Sequence, residues 1–168
     1  AFISLFPQLV AGPIVRAKDL LPQMQDDKRF QWNAWNSGVG RVLWGLFKKI
    51  AIADSLAPFV DQCFQSPETF GSMHLLIGVV FYSFQIYCDF SGYSDIAIGL
   101  ARMMGYHFPE NFNTPYFSRS FSEFWTRWHI SLSSWLRDYL YIPLGGNRHG
   151  KLATYKNNML TMVLGGLW

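Results

Sequence analysis

The histidine at position 129 has the side-chain type and the setting that most clearly suit chemistry. An unperturbed imidazole titrates at about pH 6.5, so it can act as a general base or donate a hydrogen bond. Aromatic and leucine side chains recur at spacings of three and four between Phe121 and Tyr139, which predicts one amphipathic helix. His129 would lie about 80° from the centre of its apolar stripe, at the border with the polar face. A packed, hydrogen-bonded histidine without a chemical role is the alternative interpretation.

Signals at both ends bound this helix. Ser120 and Glu123 have the spacing of a capping box, in which each side chain satisfies a free backbone N–H group. Residues 140–143 end the helix at a proline, and residues 145–151 form a glycine-rich loop. A helix with one aromatic face can lie in a membrane interface, or it can pack against other helices.

The loop at 145–151 matches the first seven positions of the phosphate-binding pattern G-x-x-x-x-G-K. We exclude that motif because Leu152 stands where a Ser or Thr is needed and because the preceding segment is helical. The loop is interpreted as a basic surface loop, with contact to a phosphate-bearing acyl donor as the alternative. We predict no metal site, because no two histidines have helical ligand spacing and no Cys-His cluster exists.

Two carboxylates follow a long uncharged run. Residues 69–88 are twenty residues without Asp, Glu, Lys or Arg, and twenty helical residues span about 30 Å, the thickness of a bilayer core. Asp89 comes directly after this run, and Asp95 lies six residues further on. Carboxylates at membrane depth are costly and face a partner or a cavity. They either bond neighbouring helices and fix the bundle, or they line a substrate tunnel.

The composition excludes two broad classes of protein. Of the 168 residues, 50% are hydrophobic, 18% aromatic and only 15% charged, with a net charge of +3. This argues against disorder, and the small, dispersed positive excess argues against a nucleic-acid binder. The chain begins at Ala1 and ends in an uncapped apolar run. We therefore expect residues 1–168 to be a single internal fragment of a longer protein.

The pattern of apolar runs, prolines and charges predicts helices joined by irregular pieces. The pair Lys48 and Lys49 is expected at a membrane-water boundary, with the ammonium groups in water. A soluble helical protein with one buried core helix is the alternative to a membrane bundle. The expected elements are a broken or re-entrant segment over 1–15, a loop or short surface helix over 16–31, a helix over 33–60 closed near Pro58, and a helix over 72–104, either single or in two pieces meeting near Gly92.

Three segments, at 8–16, 85–95 and 124–139, resemble the membrane-bound O-acyltransferase family, in its bacterial alginate O-acetylase-like branch. The third segment continues into residues 144–148, and the resemblance extends over nearly the whole chain. It implies an all-α, multi-helix integral membrane protein with broken or re-entrant and interfacial amphipathic helices. Residues 1–168 would be part of one membrane-embedded acyltransferase domain.

The resemblance also implies an enzyme. The family moves an acyl group, here acetyl, from a cytoplasmic thioester such as acetyl-CoA toward hydroxyls of an extracellular, alginate-like polysaccharide. The implied location is the bacterial inner membrane, crossed several times. The implied partners are membrane lipid, the acyl donor and extracytoplasmic proteins of polysaccharide acetylation, with no nucleic acid and no tightly bound cofactor.

The family's motifs assign roles to particular residues. The histidine of its Arg-Trp-His-Ile-Ser motif is His129 here, with a supporting role in orienting an intermediate or the carbonyl oxygen. The family's principal histidine follows a Gly-Gly-Leu-Trp motif, which is residues 165–168 here, so the fragment by itself is expected to be inactive. The other candidates are polar residues in or beside the matching segments, proposed to line a substrate tunnel: Asp89, Ser91, Tyr93, Asp95, Arg137 and Asp138.

Two other classes of function stay open at this stage. A non-catalytic membrane conduit or scaffold would pass acetyl groups to a separate transferase, and it need not keep a reactive histidine after Trp168. A soluble helical protein that binds apolar ligands is the weaker alternative.

Overall fold

The computed structural model describes residues 5–9 and 12–167, and every regular element in that part of the chain is helical. The chain divides into two compact units, Ala1–Pro109 and Glu110–Trp168. The all-α prediction is therefore confirmed. One described helix is long and apolar enough to cross a membrane.

The described residues of the first unit form four α-helices. They are α1 (Ala17–Gln25), α2 (Trp32–Leu46), α3 (Asp54–Gln65) and α4 (Ser72–Met103), with short 3-10 turns at Phe6–Gln8 and Pro67–Thr69. A π-helical segment, Phe47–Ala53, joins α2 to α3 without a break. The short helix expected within 16–31 is present as α1. Of the segment expected to be broken over 1–15, residues 1–4, 10 and 11 lie outside the described part.

The prediction that Pro58 closes the second helix was wrong. Pro58 lies inside α3, which continues to Gln65. A proline inside a helix removes one backbone hydrogen bond. Burial outweighs that loss here, since Val60 and Cys63 on α3 are only 2% and 3% exposed.

Close approach of glycines lets α2 and α4 pack side by side. A Cβ at Gly45 would lie 2.5 Å from the carbonyl oxygen of Gly92, and a Cβ at Gly99 would lie 2.7 Å from that of Gly38. Such contacts are possible only without side chains, as in other close-packed helix pairs. Gly92 is therefore a packing position, and α4 passes through it as one helix rather than in two pieces.

The two halves of α4 have different surroundings. Its second half contributes most of its buried positions, with Ser91, Ser94 and Ala97 each 2–3% exposed. Apolar side chains of its first half stay exposed, such as Leu76 at 60% and Val79 at 52%. A small hydrophobic core joins the end of α4 to α1 and the flanking loops through Val15, Leu20, Ile98, Ala101 and Phe108.

Within residues 110–167, the second unit forms three α-helices. They are α5 (Phe121–Arg127), α6 (Ile130–Leu136) and α7 (Gly150–Leu167), with a 3-10 turn at Pro115–Phe117 and a π-helical turn at Arg137–Tyr141. The prediction of one continuous amphipathic helix from Phe121 to Tyr139 was wrong, because the chain leaves the helix at Trp128 and re-enters it at Ile130. The predicted end before Pro143 is confirmed.

Candidate functional site

The helix break at Trp128 and His129 is the most distinctive backbone feature of the second unit. Trp128 is extended, with φ −103° and ψ 128°, and His129 is left-handed, with φ 43° and ψ 55°. Left-handed backbone is uncommon outside glycine, although histidine is among the residues that adopt it more often. Such strain costs about 1–3 kcal/mol and concentrates at functional sites. The expected position of His129 on a regular helical face is therefore replaced by a position at a kink.

The start of α5 is capped as its sequence predicts. The backbone N–H of Glu123 donates to Ser120 Oγ at 3.1 Å. The Glu123 carboxylate accepts from the N–H of Arg119, one residue before the cap, at 2.8 Å, and it pairs with Arg127 at 2.8 Å. These interactions, the backbone bond first, lower the pKa of Glu123. The helix that leads into the break thus has a fixed beginning.

Residues 111–114, which we call the strap, bond to both sides of the break. The N–H of Asn113 donates to the carbonyl of Arg127, the last residue of α5, at 2.8 Å. The carbonyl of Asn111 accepts from the N–H of Ile130 at 2.9 Å. Asn111 Oδ1 accepts from both the backbone N–H and the hydroxyl of Ser131, at 3.2 and 2.9 Å. A helix break leaves backbone groups without helical partners, and the strap supplies partners here.

Aromatic rings enclose the imidazole on the strap side. The ring of Phe112 stacks near that of His129, with centroids 6.5 Å apart and planes 15° apart. Phe112 also meets Trp128 edge-on at 5.0 Å, and Trp128 stacks on Phe124 at 5.5 Å. Burial among these groups lowers the pKa of His129 to about 4. His129 is therefore neutral at pH 7, with one nitrogen able to donate and the other able to accept.

A buried ionic cluster lies between α4 and the helix that packs on it. Asp95 Oδ1 accepts from Arg41 at 2.8 Å, and Asp95 Oδ2 lies 2.5 Å from Lys48 Nζ. Lys48 also donates to Ser91 Oγ at 2.9 Å. The side chains of Arg41, Lys48 and Asp95 are 19%, 10% and 13% exposed. Two predicted site residues, Asp95 and Ser91, are therefore brought together by bonds to Lys48, which also join the packed helices.

Asp89 belongs to a more exposed pair. Lys49 Nζ lies 2.6 Å from Asp89 and 2.8 Å from Asp54. The Lys49 and Asp89 side chains are 43% and 52% exposed. Hydrogen bonds to the two carboxylates raise the pKa of Lys49 to about 12. The expectation that both lysines extend to water was thus wrong for Lys48, because the π-helical segment turns it toward α4.

The remaining predicted residues lie apart from these clusters. Tyr93 is half-buried on α4. Arg137 is exposed, and its Nε donates to Asp138 at 2.8 Å in the π-helical turn after α6. Each compact unit holds some of the candidates: Asp89, Ser91, Tyr93 and Asp95 in the first, and His129, Arg137 and Asp138 in the second. A substrate tunnel lined by them stays a prediction.

The loop at 145–151 is a structured turn before α7. Gly145 and Gly146 have φ of 109° and 53°, which an L side chain rarely adopts. The buried amide of Asn157 donates from Nδ2 to the carbonyl of Gly146 at 2.9 Å. The segment before the loop is helical, as the exclusion of a phosphate-binding motif assumed. Among residues 5–9 and 12–167 no group of His, Cys, Asp and Glu is arranged to hold a metal ion.

Sequence reasoning missed Asn111, Arg41 and Lys48 as partners of the predicted residues. Asn111 lies in an irregular run rich in Asn and Pro, where its composition indicates only a loop. Its 1% exposure and its bonds to Ser131 come from contacts twenty residues away in sequence. Buried Arg and Lys next to Asp on a neighbouring helix have no short-range sequence pattern that would reveal the pairing.

The described part of the chain is all-helical, with one helix long and apolar enough to cross a membrane and a half-buried histidine at a helix break. This chain belongs to the membrane-bound O-acyltransferase family, whose family model matches residues 1–168. The resemblance stated from the sequence is confirmed.

Named relatives are similar over most or all of the chain. A probable alginate O-acetylase of Pseudomonas syringae pv. tomato is 54% identical over 100% of this chain and 32% of its own length. A peptidoglycan O-acetyltransferase of Helicobacter pylori is 44% identical over 99% of this chain and 32% of its own. A teichoic acid D-alanyltransferase of Bacillus subtilis is 31% identical over 84% of this chain and 36% of its own. The chain thus spans about a third of the length of these relatives.

Proposed function

We propose that the protein to which this chain belongs transfers acetyl groups from a cytoplasmic thioester, such as acetyl-CoA, to hydroxyls of an extracellular, alginate-like polysaccharide. The observation that carries this is the 54% identity to a probable alginate O-acetylase over the whole chain. The more distant relatives are named as acyltransferases for peptidoglycan and teichoic acid. All three names describe acyl transfer to a polymer, which favours an enzyme over a passive conduit.

The proposed chemistry is acyl exchange between sulfur and oxygen. The acceptor hydroxyl oxygen attacks the thioester carbonyl carbon, a C–O bond forms, and the C–S bond breaks. The hydroxyl proton goes to a base, proposed to be the histidine expected after Trp168, and then to the departing thiolate. The neutral imidazole of His129 suits a supporting role, since an N–H group aimed at the carbonyl oxygen stabilises the negative charge that develops there.

The helix α4 is proposed to cross the bacterial inner membrane as one of several spans. Its 32 residues extend about 48 Å, longer than a bilayer core of about 30 Å. The exposed apolar first half suits lipid or other membrane helices. The second half, with its buried ionic cluster, suits a position surrounded by protein, because charges at membrane depth need oppositely charged partners.

The proposed partner proteins are extracytoplasmic proteins of polysaccharide acetylation.

The test replaces His129 by Asn in the full-length enzyme. Asn tolerates left-handed backbone, so the kink is kept while the imidazole is removed. We expect acetyl transfer to fall about 100-fold, the typical effect of removing one oxyanion donor. The measurement is transfer of labelled acetyl to polysaccharide by membranes with matched amounts of enzyme.

The matched control is His107→Asn, which removes an exposed histidine outside the candidate site residues. It should keep wild-type transfer. Activity of His129→Asn within about twofold of wild type would contradict the catalytic role. The purified wild type could instead consume all of the acetyl thioester and leave the polysaccharide without acetyl groups. That result would favour a conduit that needs a separate transferase.

A further inference from the structure

The left-handed residue His129 occupies the N-cap position of α6, and its side chain makes no capping bond there. In most helices the N-cap side chain accepts a hydrogen bond from the second or third N–H of the helix. At α6 this acceptor comes from elsewhere in the chain. Asn111 Oδ1 takes the N–H of Ser131, the second residue of α6, and the Asn111 carbonyl takes the N–H of Ile130, the first.

Asn111 therefore caps α6 from outside. Capping by Asn111 leaves the imidazole free of that task. A histidine that had to cap its own helix would turn its ring toward the N–H groups of the first turn. The ring of His129 instead lies beside that of Phe112, the next residue of the strap. One short segment thus bonds to the backbone on both sides of His129 and places an aromatic ring beside its imidazole.

The strap is itself strained and well anchored. Thr114, at its end, is left-handed with φ 44°, an unusual backbone for a β-branched residue. Arg127 Nη1 donates to Thr114 Oγ1 at 3.3 Å, and Asn111 is 1% exposed. The described part of the chain has two left-handed non-glycine residues, Thr114 and His129. Thr114 lies in the strap and His129 at the helix break, and hydrogen bonds join these two segments. A strained backbone conformation at both residues persists only where the surrounding hydrogen bonds stabilise the fold by more than the strain costs.

We propose that Asn111 is the positioning residue of His129: it replaces the cap of α6 and so holds the imidazole in the orientation that acyl transfer uses. This rests on the catalytic role of His129 proposed above. Asn111 acts through His129 and does not touch the reacting atoms. Because misplacement of a catalytic group by about 1 Å can cost 100-fold in rate, loss of Asn111 should lower kcat far more than it changes KM.

The experiment is a double-mutant cycle in the full-length enzyme. The variants are Asn111→Leu, which has a similar volume and no acceptor, His129→Asn, and the two combined. Asn111→Asp keeps a side-chain oxygen that can accept both hydrogen bonds from Ser131. Asn157→Leu is the matched control, since it also removes a buried asparagine hydrogen bond in the same unit. Each variant is measured for kcat, for KM of the thioester donor and for melting temperature in detergent.

We expect Asn111→Leu to lower kcat about 10- to 100-fold with KM changed less than about twofold. In the His129→Asn background the same change should lower the residual rate less than about twofold, because the group it positions is already gone. Asn111→Asp should recover part of the rate. Asn157→Leu should have the same fractional effect with or without His129.

Four results would overturn the inference. Equal fractional losses from Asn111→Leu in both backgrounds would show a purely structural role. A rate loss that follows the melting temperature equally in Asn111→Leu and Asn157→Leu would also show a purely structural role. If Asn111→Leu fails to fold, Asn111→Asp takes its place in the test. An Asn111→Asp protein that is folded but inactive also contradicts the proposal. If His129→Asn itself keeps full activity, the proposed catalytic role of His129 fails, and the inference about Asn111 fails with it.

Discussion

At the scale of single residues, the environment of His129 decides which proton chemistry is open to it. An exposed histidine is half-protonated at about pH 6.5, whereas burial lowers the pKa of His129 to about 4. The imidazole therefore enters any reaction at neutral pH without charge. This suits a hydrogen-bond donor to a developing oxyanion better than a source of positive charge.

The pH dependence of stability follows from this shift. The folded protein favours neutral His129, so the unfolded state binds more protons below about pH 6.5, and stability falls as pH drops from there toward 4. We expect the free energy of unfolding to fall less between pH 6.5 and 4.5 in His129→Asn than in wild type. The measurement is denaturant unfolding in detergent at several pH values. Parallel curves for the two proteins would contradict the shift.

We expect removal of the charge to destabilise the protein by different amounts at the two aspartates of α4. Asp95→Asn leaves Arg41 and Lys48 nearly buried, at 19% and 10% side-chain exposure, without a full counter-charge. Breaking such a buried cluster costs about 3–5 kcal/mol. Asp89→Asn removes an exposed pair with Lys49, which is typically worth about 1 kcal/mol or less. Thermal unfolding of both variants in detergent measures the difference.

Activity assays of the same variants separate packing from a tunnel role. If Asp95 only fixes the helix pair, its variant loses activity in proportion to the folded fraction. A stable Asp95→Asn protein with little transfer would instead support the tunnel interpretation of this residue. For Asp89, lost transfer with an unchanged melting temperature would do the same.

At the scale of elements, glycine pairs and charges together determine how α2 and α4 pack. Gly45 faces Gly92, and Gly38 faces Gly99, with almost no room for a methyl group. The π-helical segment begins at Phe47, two residues after Gly45, and carries Lys48 into the interface. Backbone contact on one side and a buried ionic cluster on the other give this helix pair a single register.

Alanine substitutions test the close approach. Gly45→Ala gains helix propensity of about 1 kcal/mol but drives Cβ to 2.5 Å from a backbone oxygen, so overpacking should leave a net loss of about 1–3 kcal/mol. Gly40→Ala in the same helix meets nothing within 4 Å and should be neutral or stabilising. Melting temperatures in detergent give the comparison. A Gly45→Ala protein as stable as Gly40→Ala would mean that the helices do not pack in this way.

At the scale of the whole molecule, α4 is the part of the described chain suited to cross a bilayer. If it does, the segments before and after it lie on opposite sides of the membrane. Single cysteines at Glu68 and His107, both exposed, should then react with an impermeant maleimide from opposite sides in cells. The background includes Cys63→Ala and Cys88→Ala, since these are the two cysteines of residues 1–168. Equal labelling of both sites from outside would contradict a crossing, and equal labelling in detergent is the control.

Local sequence signals determined where most helices lie and the family to which the chain belongs. The uncharged run before Asp89, the capping box at Ser120 and the proline after α6 act over a few residues, so they can be read without a structure. The family motifs likewise depend only on residue identity, and they placed His129 among the candidates before its surroundings were known.

Tertiary structure alone decided the break at His129 and the burial of Lys48. Periodicity from Phe121 to Tyr139 favours an unbroken helix, but Asn111 and Asn113 offer hydrogen bonds from a segment more than ten residues away and stabilise a left-handed turn instead. Lys48 has the composition of a surface residue, yet the π-helical segment turns it toward Asp95 on α4. Both outcomes depend on partners distant in sequence, whose hydrogen bonds and charges outweigh local preference.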